Sequence, residues 1–170
     1  MRTLVLVRHA KAEAPSDTLP DHDRALTLAG RTSCAQLSQS LLEAGVHPSH
    51  AVVSSAVRAQ QTWQRMQDAV GDVEMSTDTE VYETNDSGLI DIVKAITSGA
   101  DTVVVVGHEP TISAAAASLS GPGSDTRALQ RVAHGLPTGT AAVLEYDGEW
   151  VDLGPRSARL TRICSSDATY

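Results

Sequence analysis

The sequence predicts an α/β fold with a mainly parallel central sheet, helices on both faces and a C-terminal antiparallel hairpin. Three observations carry that prediction. Two continuous, β-branched runs, Thr3-Leu4-Val5-Leu6-Val7 and Thr102-Val103-Val104-Val105-Val106, have the composition of strands buried on both faces. Segments with apolar residues at helical spacing alternate with extended runs of this kind. Near the C-terminus, Asp147-Gly148 separates two extended stretches and is a strong two-residue hairpin signal.

Taken in order, the run from Thr3 to Val7 is bounded by charge and reads as a central strand. Residues Glu13 to Arg24 hold Pro15, Pro20, His22 and Arg24 and read as a surface loop. Thr27 caps a helix that carries Cys34, Leu37, Leu41 and Leu42 on one face and stops at Gly45, with Pro48 beyond. Ala51-Val52-Val53 forms a second strand, and Ser55 is placed to cap a helix with Arg58 in its first turns and Ala59, Trp63, Met66 and Val70 at helical spacing up to Gly71. Between Asp72 and Glu83, short extended pieces are expected at Val73–Met75 and Glu80–Tyr82. Asn85, Asp86 or Ser87 caps a helix with the stripe Leu89, Ile92, Val93 and Ile96, ending before Gly99. After the strand at 102–106, Pro110 suits the first position of a helix that ends at Gly121-Pro122-Gly123. Ser124 to Gly139 reads as a long loop with a short helix near Leu129, and Thr140–Tyr146 and Glu149–Leu153 are the two arms of the expected hairpin. Residues 1–164 are expected to form one domain and residues 165–170 a disordered tail.

Composition narrows the function. At 170 residues and 41% hydrophobic, the chain suits one domain with a real core. Aromatic residues make up 3%, with no Phe, so there are few platforms for stacking bases. The formal net charge of -8 argues against nucleic acid or an anionic membrane as partner, and an anionic substrate would need a local basic pocket. Cys34 and Cys164 match no redox or metal-ligand spacing and are expected as free thiols. The N-terminal apolar run is too short for a signal sequence, and no stretch approaches membrane-spanning length, so a cytoplasmic protein is expected.

Open sheets of this class bind ligands outside the carboxyl ends of their parallel strands. Arg8-His9 follows the first strand, Arg58 lies just past the second, and His108 follows the Val-rich one. If these strands are parallel neighbours, the four side chains converge. Guanidinium forks bind phosphoryl oxygens bidentately, which suits Arg8 and Arg58. A neutral imidazole with one ring nitrogen fixed by a carbonyl or carboxylate is a competent nucleophile, and His9 is placed deepest. A protonated His108 would stabilise the transferring group, with Gly107 allowing close backbone approach and the helix start at Pro110 adding a positive dipole end.

The chain resembles the histidine phosphatase superfamily, in particular its SixA-like phosphohistidine phosphatase branch. The resemblance rests on Arg8-His9-Ala10-Lys11-Ala12, Asp23-Arg24-Ala25-Leu26-Thr27 with Gly30, Ser54-Ser55-Ala56 with Arg58-Ala59-Gln60-Gln61-Thr62, and Gly107-His108-Glu109-Pro110, in family order over most of the chain. It implies a phosphoglycerate mutase-like fold and a phosphatase in which His9 carries the phosphoryl group covalently. Arg8, Arg58 and His108 would form the phosphate pocket, with no metal or other cofactor. A carboxylic acid that protonates the leaving group in many relatives would correspond to Glu83, with Glu80 and Glu109 as alternatives. Arg24 matches a position near the entrance, for substrate contact or a surface salt bridge, and Lys11 is expected at the rim.

The substrate implied is a phosphohistidine-bearing signalling or phosphotransfer protein, with small phosphate esters as the alternative. A non-catalytic phosphate- or phosphohistidine-binding module would use the same pocket, but could do without the nucleophile. A mutase would need the longer insertions that such relatives carry. A metal site built from His9, His22 and Asp23 is disfavoured because two arginines beside it repel a cation. His22, His47, His50 and His134 have no motif around them and are expected in surface or structural roles.

Overall fold

The computed structural model describes residues 1–167 and Tyr170. Six strands form one sheet: β1 (Arg2–Arg8), β2 (His50–Ser54), β3 (Glu74–Asp78), β4 (Thr102–Gly107), β5 (Thr140–Tyr146) and β6 (Arg159–Ser165), in the order β3-β2-β4-β1-β5-β6. The first four are mutually parallel where they pair, while β5 runs antiparallel to both β1 and β6. The strand at 3–7 is central, as its unbroken apolar run predicts, and Leu4 to Val7 are almost wholly inaccessible. Opposite faces of the strands feed two cores. On one side α1 (Leu28–Glu43) and α2 (Val57–Val70) pack Cys34, Leu37, Leu41, Ala59, Trp63 and Met66 against Val5, Val7, Val104 and Val106. On the other, beyond the single turn α3 (Glu80–Glu83), the helices α4 (Asp86–Lys94), α5 (Thr111–Leu119) and α6 (Thr126–His134) cover Leu4, Leu6, Val103 and Val105. The helices end where the turn chemistry predicts: Thr27 and Asn85 accept amides of Gly30 and Gly88, and Gly45 and Gly71 take positive φ.

The local expectations fail in five places. Ser55 does not cap α2; Ser54 Oγ accepts the Ala56 amide, and the helix opens at Val57. The segment at 80–83 is helical, with the Asp78 carboxylate accepting the Glu80 amide at its start, rather than an extended piece. The short helix expected near Leu129 is present but runs to nine residues as α6, capped by Asp125, so that less of 124–139 is loop than expected; its polar face hides a narrow apolar stripe of Ala128 and Val132. Pro110 stands just before α5 as its cap residue, not as its first residue. Asp147-Gly148 does not turn a tight hairpin. Trp150 is drawn into the core, its indole N–H donating to the Ala100 carbonyl at 2.7 Å and its ring stacking on Tyr146. That makes 150–152 a 3₁₀ turn, and the antiparallel partner of β5 is β6, with its Arg159 paired to Glu145. Of the terminal residues 165–170, Ser165 ends β6, the Tyr170 ring lies 4.4 Å from the Arg131 guanidinium, and Ala168 and Thr169 lie outside the described residues.

Candidate active site

Arg8 pairs with Gly107 across β1 and β4, and Val53 with Val106 across β2 and β4, so the three strands end level. The segments that leave these strands therefore meet at one edge of the sheet. The His9 amide donates to the Gly107 carbonyl, which holds the residue after β1 against the end of β4. Thr62 Oγ1 accepts the Ala10 amide and donates to the Arg58 carbonyl, joining α2 to the same segment. Gln61 accepts the Leu26 amide, and Gln60 donates to the Ser54 carbonyl. Gly30 is fixed by close approach, because a Cβ there would lie 2.2 Å from the Lys11 carbonyl.

His9 and Arg58 are buried, at 7% and 5% exposure. His9 Nδ1 lies 2.7 Å from the Ala10 carbonyl, an acceptor only, so Nδ1 carries the proton. Nε2 is then the bare nitrogen, and Arg58 Nε donates to it at 3.3 Å. Burial, followed by the charges of Arg58, Arg8 and Arg24, lowers the His9 pKa to about 4, so the ring is neutral and nucleophilic near pH 7. The His108 ring lies 5.3 Å from that of His9. Its Nε2 is 2.7 Å from Ser54 Oγ; with that oxygen accepting the Ala56 amide, the hydroxyl hydrogen is free to donate to Nε2 and leave the ring proton on Nδ1. Arg8 donates from Nη1 to the Leu136 carbonyl. Among the described residues, Arg8 Nε and His108 Nδ1 are buried with no hydrogen-bond partner. Buried donors of this kind are costly unless an acceptor meets them. An oxyanion held between two guanidiniums and two imidazoles supplies such acceptors.

The profile of the histidine phosphatase superfamily (branch 1) matches residues 4–89. An uncharacterized protein of Mycobacterium leprae is 34% identical over 158 residues, covering 91% of this chain and 96% of its own length. The chain belongs to the histidine phosphatase superfamily. Among solved structures, a candidate phosphohistidine phosphatase SixA from Nakamurella multipartitia superposes with TM-score 0.82 at 32% identity, covering 95% of this chain and 94% of the other. A second candidate SixA, from Agrobacterium tumefaciens, gives 0.81 at 25% identity, covering 96% and 97%.

Within this pocket, three sequence-based details change. Burial first, then the charges of His9 and Arg58, lower the His108 pKa to about 3, so His108 is neutral rather than an imidazolium before an anion arrives. The space at Gly107 is taken by Ile112 and Val81, at 3.2 and 3.3 Å from an added Cβ; this glycine serves packing, not backbone approach to a ligand. The start of α5 is occupied by its own chain: Ile112 N–H bonds the His108 carbonyl, Ser113 N–H bonds Glu109 Oε1, and Ala114 N–H bonds the Pro110 carbonyl. Glu109 Oε2 accepts the Ser113 hydroxyl as well, so Glu109 is a helix cap.

The structure brings Arg8, His9, Arg58 and His108 together and leaves the weaker candidates apart. Glu83 and Glu80 are exposed on α3, which instead turns Tyr82 inward, its ring edge-on to His108 at 5.4 Å. Lys11 is exposed at the rim. Arg24 donates to Asp21 and to the Glu13 carbonyl. His22 contacts Ser55 Oγ at 2.9 Å and meets the Tyr82 ring at 4.9 Å. Two further side chains belong to the site without a motif to announce them. Asp21 accepts from Tyr82, Arg24 and Arg58, and those bonds, Tyr82's first, hold its carboxyl well below the usual carboxylate range. Tyr82 is the other, its hydroxyl pKa raised by donating to Asp21. The acidic turn Asp21-His22-Asp23 preceding Arg24 is the available signal for the first, and nothing in the sequence marks Tyr82.

Proposed function

We propose that residues 1–164 act as a single metal-independent phosphatase domain in which His9 Nε2 takes a phosphoryl group, and that the substrate is phosphohistidine on a cytoplasmic signalling or phosphotransfer protein. The carrying observation is the state of His9, neutral and fixed with Nδ1–H on the Ala10 carbonyl and Nε2 facing Arg58. The Nε2 lone pair attacks phosphorus, and the bond to the leaving group breaks as the P–N bond forms. Arg8 and Arg58 supply positive charge and donors to the phosphoryl oxygens, where negative charge is spread in the transition state, and neutral His108 adds its Nδ1–H as a further donor. Water then attacks phospho-His9, the electron pair of the P–N bond returns to Nε2, and phosphate leaves. Two guanidiniums in this pocket repel a metal ion, which supports metal-free chemistry.

The choice of phosphohistidine is supported by the acids around the site. Asp21 is held ionised, Glu109 caps a helix, and Glu83 is exposed without a contact to the four pocket residues among those described. An alkoxide leaving group needs a placed acid, whereas an imidazole departs with far less help. The SixA-like neighbours point the same way, and the buried free thiols Cys34 and Cys164 suit a reducing compartment. The test compares phosphate release from a phosphohistidine protein, a phosphohistidine peptide and a panel of phosphate esters, with and without chelator. Release is expected from phosphohistidine, unaffected by chelator, with His9→Ala at least about a thousandfold slower. Full turnover by His9→Ala, or loss of activity in chelator, would refute it. Phosphate binding without turnover on any substrate would make the chain a binding module.

A further inference from the structure

A long arginine side chain can bind phosphate from many rotamers, so something must present one edge of Arg58 to His9. The contacts identify it. Arg58 gives Nε to His9 Nε2 at 3.3 Å, while Nη1 donates to the Asp21 carbonyl at 2.7 Å and Nη2 to Asp21 Oδ2 at 3.0 Å. Asp21 is itself held by further donors. The Tyr82 hydroxyl donates to Oδ2 at 2.7 Å, and Arg24 approaches Oδ1 with Nε at 2.9 Å and Nη2 at 2.8 Å. The third Arg24 contact, Nη1 to the Glu13 carbonyl at 2.7 Å, anchors it to the surface loop. These bonds leave two N–H groups on Arg58, one on each Nη, for phosphoryl oxygens. They leave the Asp21 carboxylate with no proton to give and little acceptor capacity to spare.

We infer that Asp21 is a positioning residue that grips the Nη edge of Arg58 and so turns its Nε edge to His9, and that Arg24 serves the reaction by holding Asp21 and not by touching substrate. The inference rests on the phosphatase reading for its effect on turnover, but the arrangement of Arg58 against His9 is a property of the unliganded protein. Asp21→Asn keeps the backbone carbonyl contact and the side-chain shape, so it isolates the carboxylate.

The test measures kcat and KM for Asp21→Asn, Arg24→Gln, Arg58→Ala and the doubles, together with the imidazole 15N shifts of His9 in protein without substrate. Asp21→Asn is expected to lower kcat roughly tenfold, the scale of losing a charge-assisted hydrogen bond, with KM changed less. Arg24→Gln should give a smaller loss, and the Asp21→Asn/Arg24→Gln double should be no slower than Asp21→Asn alone. In an Arg58→Ala background Asp21→Asn should change nothing further. The His9 Nε2 signal should move in Asp21→Asn and move less, in the same direction, in Arg24→Gln; Asp21→Glu should restore part of both effects. A faster Asp21→Asn enzyme would mean that the carboxylate competes with the phosphoryl group, and would overturn the inference. So would multiplicative effects in either double, or an unmoved His9 signal. Absence of turnover in the wild type sinks the phosphatase reading instead, and the 15N shifts still decide the role of Asp21.

Discussion

His9 is neutral through most of the accessible pH range because burial and neighbouring guanidiniums oppose its protonation. Attack requires the bare Nε2, so the rate falls as pH drops through the pKa of the folded state. With that pKa lowered to about 4, kcat/KM, corrected for substrate ionisation, should stay level from pH 7 to 5 and fall near pH 4, not near the ordinary imidazole value of 6.5. A falling limb centred at 6.5 would contradict the buried environment of His9. Arg58→Ala should cost roughly a hundredfold or more in kcat, on the scale of removing a preorganised donor to a developing anion. Residue by residue, the pocket is legible in the sequence where a motif residue succeeds a strand. Asp21 is signalled only by its acidic turn and Tyr82 by nothing, because each reaches the site from a short turn whose direction depends on contacts with distant residues: Arg58 for one, His108 for the other.

At the scale of elements, the motif residues between the four pocket side chains serve as joints. Thr62 and Gln61 tie α2 to the segment after β1 and Gln60 ties it to the end of β2, and Gly30 lets α1 lie against the Lys11 carbonyl. Gly30→Ala should therefore lower stability by about 1–3 kcal/mol, as overpacking does, and reduce turnover by displacing the Arg8–Lys11 segment. Thermal unfolding and kcat measured together check both parts; an unchanged midpoint would show that the close approach is relaxed in solution. Asp125→Ala should cost about 1 kcal/mol by uncapping α6 while leaving kcat near wild type, since only the Ala128 amide loses its partner. The elements that sequence predicts correctly are those with a full apolar stripe or an unbroken β-branched run. The full extent of α6 is hidden because Ala128 and Val132 give too narrow a stripe, and the C-terminal pairing differs from the expected hairpin because burial of Trp150 overrides the local turn signal of Asp147-Gly148.

Across the whole molecule, the order β3-β2-β4-β1-β5-β6 brings three sequence-distant strand ends to one edge, and that convergence is foreseeable from strand-helix alternation alone. It also places two imidazoles, His9 buried and His108 half-buried, where loss of solvent opposes their charging. In the unfolded chain both histidines take up protons below about pH 6.5, while the folded chain resists until about 4 for His9 and about 3 for His108. The unfolded state thus binds more protons in that window, and stability falls with pH by at most about 1.4 kcal/mol per unit per histidine. Asp21, ionised in both states above about pH 5, adds slope in the same direction only below it, where the unfolded carboxyl takes up a proton that the folded one refuses. Thermal midpoints between pH 7 and 5 should decline, and His108→Gln should decline less steeply; a flat wild-type profile would contradict the desolvation of the pair. No helix among the described residues is long and apolar enough to cross a membrane.

The central claim is a covalent bond between phosphorus and His9 Nε2. Rapid quenching of the protein with isotopically labelled phosphohistidine peptide into alkali, with peptide mapping afterwards, tests it most directly. The expected result is one acid-labile, base-stable label on the peptide containing His9, formed and lost at rates consistent with turnover and missing from His9→Ala. Turnover without label on His9, or label on any other residue, would contradict it.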